Sequence, residues 1–338
     1  MHSSSNQIQN MKSPGTFSIS LDFELHWGCF EHMKELNEKN QQYFKNTRGA
    51  IPKMLSLFET FEIHVTWASV GMLFNKNVDE WKQNVPAKIP GFINEEVSAY
   101  KWVDKHGFFS EEDPFHFAPQ LVQRIKETPF QEIGTHTYAH YFCLEKGQTA
   151  EQFREDLIAA CKMAKQFGIE IKSLVFPRNQ FNKEYLSICK EMGITSVRSN
   201  PDIWYWTSSA DSSLLKRLFR TGDAYLKFQP YKMVFLNDIE TGELPVQLPA
   251  TRLYRPWKPR FPLLNKLKMK RILSEMTAAA QSGGYYHIWW HPHNLGYHPE
   301  ECLLEIRTIL EHFKKLKTEY GFESLTMSET TEKLIRHS

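Results

Sequence analysis

Cysteine is scarce and scattered in this 338-residue chain: Cys29, Cys143, Cys161, Cys189 and Cys302 form no CxxC pair. An odd, unpatterned set argues against a disulfide framework and against a zinc knuckle, and it points to the reducing cytoplasm. No run of about 18 apolar residues occurs, so no segment is expected to span a membrane. Residues 1–15 are polar and lack the apolar stretch of a secretory signal. They are read as a disordered leader. Net charge is only +2, which gives no global case for nucleic acid or for an acidic partner. No glycine-rich phosphate loop follows the first strand, which speaks against a doubly wound nucleotide fold. No internal repeat is visible, and no motif fixes an oligomeric state.

What is abundant is aromatic: Phe, Trp and Tyr make up 14% of the residues. Sugar sites use aromatic faces and so do large cores, so this alone decides nothing. Beyond the leader, apolar strand-like runs alternate with helical patterns from residue 16 to 338, read as one domain. Strands are expected at 16–21, 63–70, 132–135, 171–176, 194–197, 285–290 and 324–327. Helices are expected at 48–61, 119–126, 150–167, 182–191, 264–281 and 300–315. Residues 72–118 and 199–262 show no clear period and read as two large insertions. Such alternation favours a distorted parallel (β/α) barrel, whose site is built at the C-terminal ends of the strands.

Three segments put proton-transferring or metal-binding groups at those ends. In the first, Asp22 and Glu24 are two apart at the end of a strand and face one side. A solvated strand end would look the same. In the second, His136 and His140 follow a strand that ends in Gly134-Thr135. If the chain turns helical there, both rings face one way and suit one ion. In the third, His287, Trp289, His291 and His293 alternate along a late strand. His287 is deep and reads as a core histidine. His291 sits where a general acid would, and His293 is placed to meet substrate. Trp204 and Trp206, with Tyr205, form a cluster that serves either as a sugar platform or as packing. Residues 252–271 carry eight basic residues and no acidic one. That pattern fits a solvated helix face, or a landing surface for a phosphate-bearing substrate or an anionic lipid surface.

These residues resemble the NodB-like polysaccharide deacetylases. Asp22-Phe23-Glu24 is similar to an Asp-x-Glu variant of that family's first motif, and His136-Thr-Tyr-Ala-His140 matches its second fully. Phe176-Pro177-Arg178 resembles its third, and His291 its late-strand histidine. The resemblance implies a NodB-type barrel with Asp22 as base, His291 as acid and the Arg178 N–H facing the oxyanion. It implies one divalent ion, zinc by the donor set, on Glu24, His136 and His140. The family's third-motif arginine is Val175 here, and Arg178 is the substitute considered for orienting the base. Asp202 and Trp204 echo the fourth motif loosely.

The function expected is removal of an N-acyl group, acetyl first, from an amino sugar. In the cytoplasm that sugar would be nucleotide- or lipid-linked, with contact to the membrane periphery. Hydrolysis of a cyclic amide or a formamide on the same fold is the near alternative. A sugar-binding protein without turnover is the distant one.

Overall fold

The computed structural model describes residues 13–207, 213–226 and 232–337. Most of the expected leader, 1–12, lies outside them. The chain runs β1 (Thr16–Phe23), α1 (Glu38–Thr60), β2 (Val65–Ser69), α2 (Val78–Asn84), α3 (Ala99–His106), α4 (Pro119–Glu127) and β3 (Gln131–Thr135). It continues α5 (Ala150–Gln166), β4 (Ser173–Val175), α6 (Leu186–Glu191), β5 (Ser196–Ser199), α7 (Leu214–Gly222), β6 (Val246–Pro249) and β7 (Arg252–Leu253). It ends α8 (Pro262–Ser282), β8 (Tyr285–Trp290), α9 (Pro299–Tyr320), β9 (Glu323–Ser324) and α10 (Met327–His337).

The strands pair in parallel in the order β6-β5-β4-β3-β2-β1-β8-β7, with β9 added to β1. β6 pairs with β5, and β7, two residues further on, pairs with β8. The stretch 246–253 therefore bridges the two edges and closes the barrel. It falls inside the expected second insertion and was not read as a strand there, because two short apolar pairs broken by Pro249 carry no period.

β1 shows how the barrel is built. Phe17, Ile19, Leu21 and Phe23 alternate with Ser18, Ser20 and Asp22, and all are buried. The apolar set packs in the core shared with the helices, where Phe17 lies on Phe313 of α9. The small polar set makes hydrogen bonds to partners distant in sequence: Ser18 to Leu325, and Ser20 to His287 and Arg198. A strand buried on both faces needs such partners, since an unpaired buried hydroxyl costs about 1–3 kcal/mol. The expected last strand at 324–327 instead ends at Ser324, and α10 starts at Met327. Met327 and Leu334 of α10 share an apolar cluster with Ala68, Val175, Val246 and Leu248.

Both expected insertions leave from the C-terminal ends of strands, β2 and β5. The first is less irregular than its sequence implies, since it contains α2 and α3. Its anchor is a buried chain: Asp113 Oδ2 to His116 Nδ1 (2.9 Å), His116 Nε2 to His26 Nδ1 (2.7 Å), and His26 Nε2 to the Met33 carbonyl (2.8 Å). Both ring nitrogens of His26, two residues after Glu24, are occupied by this packing.

Candidate active site

Asp22, Glu24, His136, His140 and His291 converge at the C-terminal ends of β1, β3 and β8. All but the partly exposed His291 are buried. The donor atoms of Glu24, His136 and His140 lie within 4.8 Å of one another, as do those of Asp22, Glu24 and His291. Glu24 is the shared member: its Oε2 is 3.1 Å from His140 Nε2 and its Oε1 is 3.2 Å from His291 Nε2.

The two imidazoles of the second motif do not converge through a helical turn. Residues 136–140 form an irregular loop in which Thr137 (φ 65°) and His140 (φ 54°) are left-handed. Such non-glycine residues cost on the order of 1–3 kcal/mol each and persist only where the surroundings fix them. Here Asp156, buried on α5, accepts from the N–H of Tyr138 (2.7 Å) and of Ala139 (3.0 Å). The Thr137 hydroxyl accepts from the Tyr141 N–H at 2.7 Å. The loop carbonyls of Thr137 and Tyr138 take the N–H groups of Gly71 and Met72. Burial raises the Asp156 pKa to about 7 against these two bonds. The sequence reading missed Asp156, which looks like any polar residue of an amphipathic helix.

The donor set fits a divalent cation. His136 Nδ1 lies 2.8 Å from the Val175 carbonyl. A carbonyl only accepts, so Nδ1 carries the proton and Nε2 keeps its lone pair, the tautomer a ligand needs. Burial lowers the pKa of His136 to about 4 and of His140 to about 3, so both rings are neutral at physiological pH. Glu24 Oε2 is buried with no hydrogen-bond partner among the described residues. Burial raises the Glu24 pKa, and the nearby Asp22 charge adds to it against His291 and His136. An orphaned carboxylate oxygen beside imidazole lone pairs is a gap that a cation fills.

Gly28 makes room for this arrangement. A Cβ on Gly28 would overlap the Glu24 carboxylate. Gly28→Ala is therefore expected to displace Glu24, lowering metal affinity by at least about tenfold with a small change in melting temperature. Titration of the apo protein with Zn²⁺ beside the parent measures this.

Asp22 is gripped by Arg198, a residue the sequence reading did not select. The guanidinium bonds both carboxylate oxygens (2.6 and 2.8 Å) and also reaches Ser20 (2.9 Å) and Asn179 (3.2 Å), and it lies 4.2 Å over the Trp289 ring. Burial pushes the Asp22 pKa up. Arg198, with His136 and His291, more than offsets this and holds the group well below the usual carboxylate range.

Arg198 corrects the expectation that Arg178 orients the base. In the sheet register Arg198 on β5 is the Cα partner of Val175 on β4. The guanidinium missing from position 175 is thus supplied by the neighbouring strand at the same level. The Arg178 side chain instead pairs with Glu31, approaches His32 and lies over the Phe142 ring. Its backbone is left-handed (φ 54°) directly after Pro177. Arg198→Gln removes the main attraction on Asp22, so its pKa is expected to rise. If ionised Asp22 is needed for turnover, the acid limb of the activity profile moves to higher pH, read from kcat/KM against pH.

The remaining candidates fall around this centre. The rings of His291 and His293 are 5.2 Å apart, and His293 Nδ1 is buried without a partner among the described residues. His291 Nδ1 faces the Asn294 amide at 3.3 Å. His287 is a core histidine, bonded to Ser20 and Tyr285. Trp206 is buried edge-on against Trp289, whereas Trp204 is 45% exposed and rests on Tyr205 and Phe219. Asp202 lies at the surface, paired with Lys232, and does not orient His291.

Residues 41–197 match the family model described as polysaccharide deacetylase. No curated protein matches the chain. Among solved structures, a protein from Mycobacterium smegmatis assigned as a polysaccharide deacetylase superposes with TM-score 0.59 at 13% identity, covering 96% of this chain and 92% of that one. A second protein assigned as a polysaccharide deacetylase, from Pseudomonas aeruginosa PAO1, gives 0.56 at 10%, covering 95% and 91%. An allantoinase gives 0.54 at 12%, covering 94% and 89%. At these identities the superpositions establish the fold, a distorted (β/α) barrel of the NodB type. The family match itself runs from α1 into β5 and covers β2, β3 and β4.

Proposed function

We propose that the chain is a metal-dependent hydrolase that removes an N-acyl group, acetyl first, from an amino sugar or a polysaccharide precursor. The observation that carries this is the convergence of Asp22, Glu24, His136, His140 and His291, with Arg198 holding Asp22 ionised. A divalent ion on Glu24, His136 and His140, zinc by the nature of its donors, would polarise the amide carbonyl and acidify a water.

The chain's own groups do the rest. Asp22, ionised at neutral pH, takes the proton of the attacking water. His291 Nε2 stands 3.6 Å from Asp22 Oδ2 on a partly exposed ring, and gives a proton to the leaving amine. The Arg178 N–H is assigned to the oxyanion. His293 and the exposed face of Trp204 are assigned to substrate. Trp206 contributes through packing on Trp289.

Arg198 favours turnover over the non-catalytic reading, since it fills the role that Val175 leaves open. The substrate proposed carries its sugar on a nucleotide or lipid phosphate, consistent with the cytoplasmic placement read from the cysteines. A panel of N-acetyl and N-formyl amino sugars, with a cyclic amide beside them, tests the assignment. Release of acetate from an amino sugar, abolished by chelator, is the expected result. Turnover of the cyclic amide alone would move the assignment to that class.

A further inference from the structure

The second insertion carries a helix that turns its apolar side to solvent. On α7, Leu214, Leu215 and Leu218 are 74%, 56% and 61% exposed. At about 100° per residue these three share an arc about 100° wide. The helix has no fully buried residue. Phe219 turns inward onto Trp204 and Tyr205, and Arg220 lies over the Trp206 ring. A solvated helix would put polar residues on that outer arc.

The leucines sit in a basic frame. α7 itself carries Lys216, Arg217 and Arg220 and no acidic residue. The neighbouring 252–271 segment looks more cationic than it is. Arg252 and Arg271 are paired with Asp223 and Glu275, and Lys268 with Glu305. These three serve the interior. Lys258, Arg260, Lys266 and Lys270 are exposed, with no carboxylate in ion-pair range among the described residues. Phe261 and Leu263 stand exposed between them, at 49% and 67%. The two segments meet where Arg255 donates to the Arg220 carbonyl (3.4 Å) and where Arg271 bonds the carbonyl of Leu226, itself half exposed.

The patch adjoins the catalytic mouth. Phe219 of α7 packs on Trp204 and Tyr205, the adjacent Trp206 packs on Trp289, and the Trp289 ring lies against Arg198 and His291.

We propose that α7 and the 258–270 segment dock on an anionic lipid surface, with the leucines, Phe261 and Leu263 entering the headgroup boundary and the exposed cations on anionic headgroups. Apolar burial and headgroup attraction add in such a contact. Only the Trp204–Trp206 turn and Trp289 separate the docked face from His291, so, if the proposed function holds, an N-acyl sugar carried on a membrane lipid would reach Asp22 and His291 without leaving the surface.

The test is flotation of the full chain with phosphatidylcholine vesicles, with and without 40% phosphatidylglycerol. Binding to the anionic vesicles that weakens between about 0.1 and 0.5 M salt is expected. Leu214→Ser, Leu215→Ser and Leu218→Ser combined should lower it by at least about tenfold with unchanged melting, since the side chains are exposed. Lys258→Gln and Arg260→Gln should each lower it by about fivefold, the worth of one cation near such a surface. Hydrolysis of a soluble N-acetyl amino sugar should be unchanged in all of these, which separates docking from chemistry. Absence of binding, equal binding to neutral vesicles, or a triple variant that binds like the parent would overturn the proposal. So would a dimer in sedimentation that the triple variant abolishes, because a second copy would then own the face.

Discussion

Asp22→Asn is expected to lower turnover by about 10²–10⁴-fold, the usual worth of a positioned proton acceptor, and to leave metal content near that of the parent. The asparagine is isosteric, and its oxygen still accepts one bond from Arg198, so the fold survives. It does not survive untouched. Asp22 and Arg198 are both buried and joined by two short bonds, and the substitution leaves a buried guanidinium with half its partner. Losing one charge-assisted bond costs about 1.5–3 kcal/mol, a drop of several degrees in melting temperature for a domain of this size. Turnover, metal content and melting measured on one preparation separate the roles. Lost turnover with retained metal marks a base. Lost turnover with lost metal would make Asp22 a ligand instead, which its 4.8 Å grouping with Glu24 and His291 also permits geometrically.

His140→Ala is expected to remove stoichiometric metal after dialysis. Loss of an outer partner of a ligand typically costs about 10–100-fold in affinity, and loss of a direct ligand should exceed that. Turnover falls with it. A cation that binds only the folded chain raises its stability by mass action. Chelator should therefore lower the parent's melting temperature and leave that of His140→Ala unchanged. Equal metal content in the two proteins would place the ion elsewhere, with Asp22, Glu24 and His291 as the next group to examine.

How much of this was legible depended on the distance between partners in the chain. The His136–His140 pair could be read because both ligands sit in one five-residue segment after a strand. The reason they converge could not: it lies in Asp156, sixteen residues on, and in two left-handed residues that no local pattern announces. Arg198 was missed for a similar cause. The expected strand stopped at Val197, one residue short, and only the register of β5 against β4 shows that Arg198 stands level with Val175. Gly28 was not singled out, since only the Glu24 side chain crossing it gives it a role.

The long apolar elements were read well. β8 matches its expected span, and α5 matches to within a residue, helped by a capping box at Thr149 and Gln152. α1 begins ten residues earlier than expected. Its first turns, Glu38–Gln42, are polar, and the helix starts there because Asn37 caps it. Strand 246–253 had too few residues on each side of Pro249 to show a period, though it closes the barrel.

The most direct test of a metal-dependent N-acyl hydrolase is one titration. Purified protein is stripped with chelator and reloaded with increasing Zn²⁺, while bound metal and acetate released from an N-acetyl amino sugar are followed together. Activity that is absent in the stripped protein and rises in proportion to bound metal up to one ion per chain is expected. Full activity in the stripped protein, or one bound ion with no acetate from any amino sugar, would contradict it.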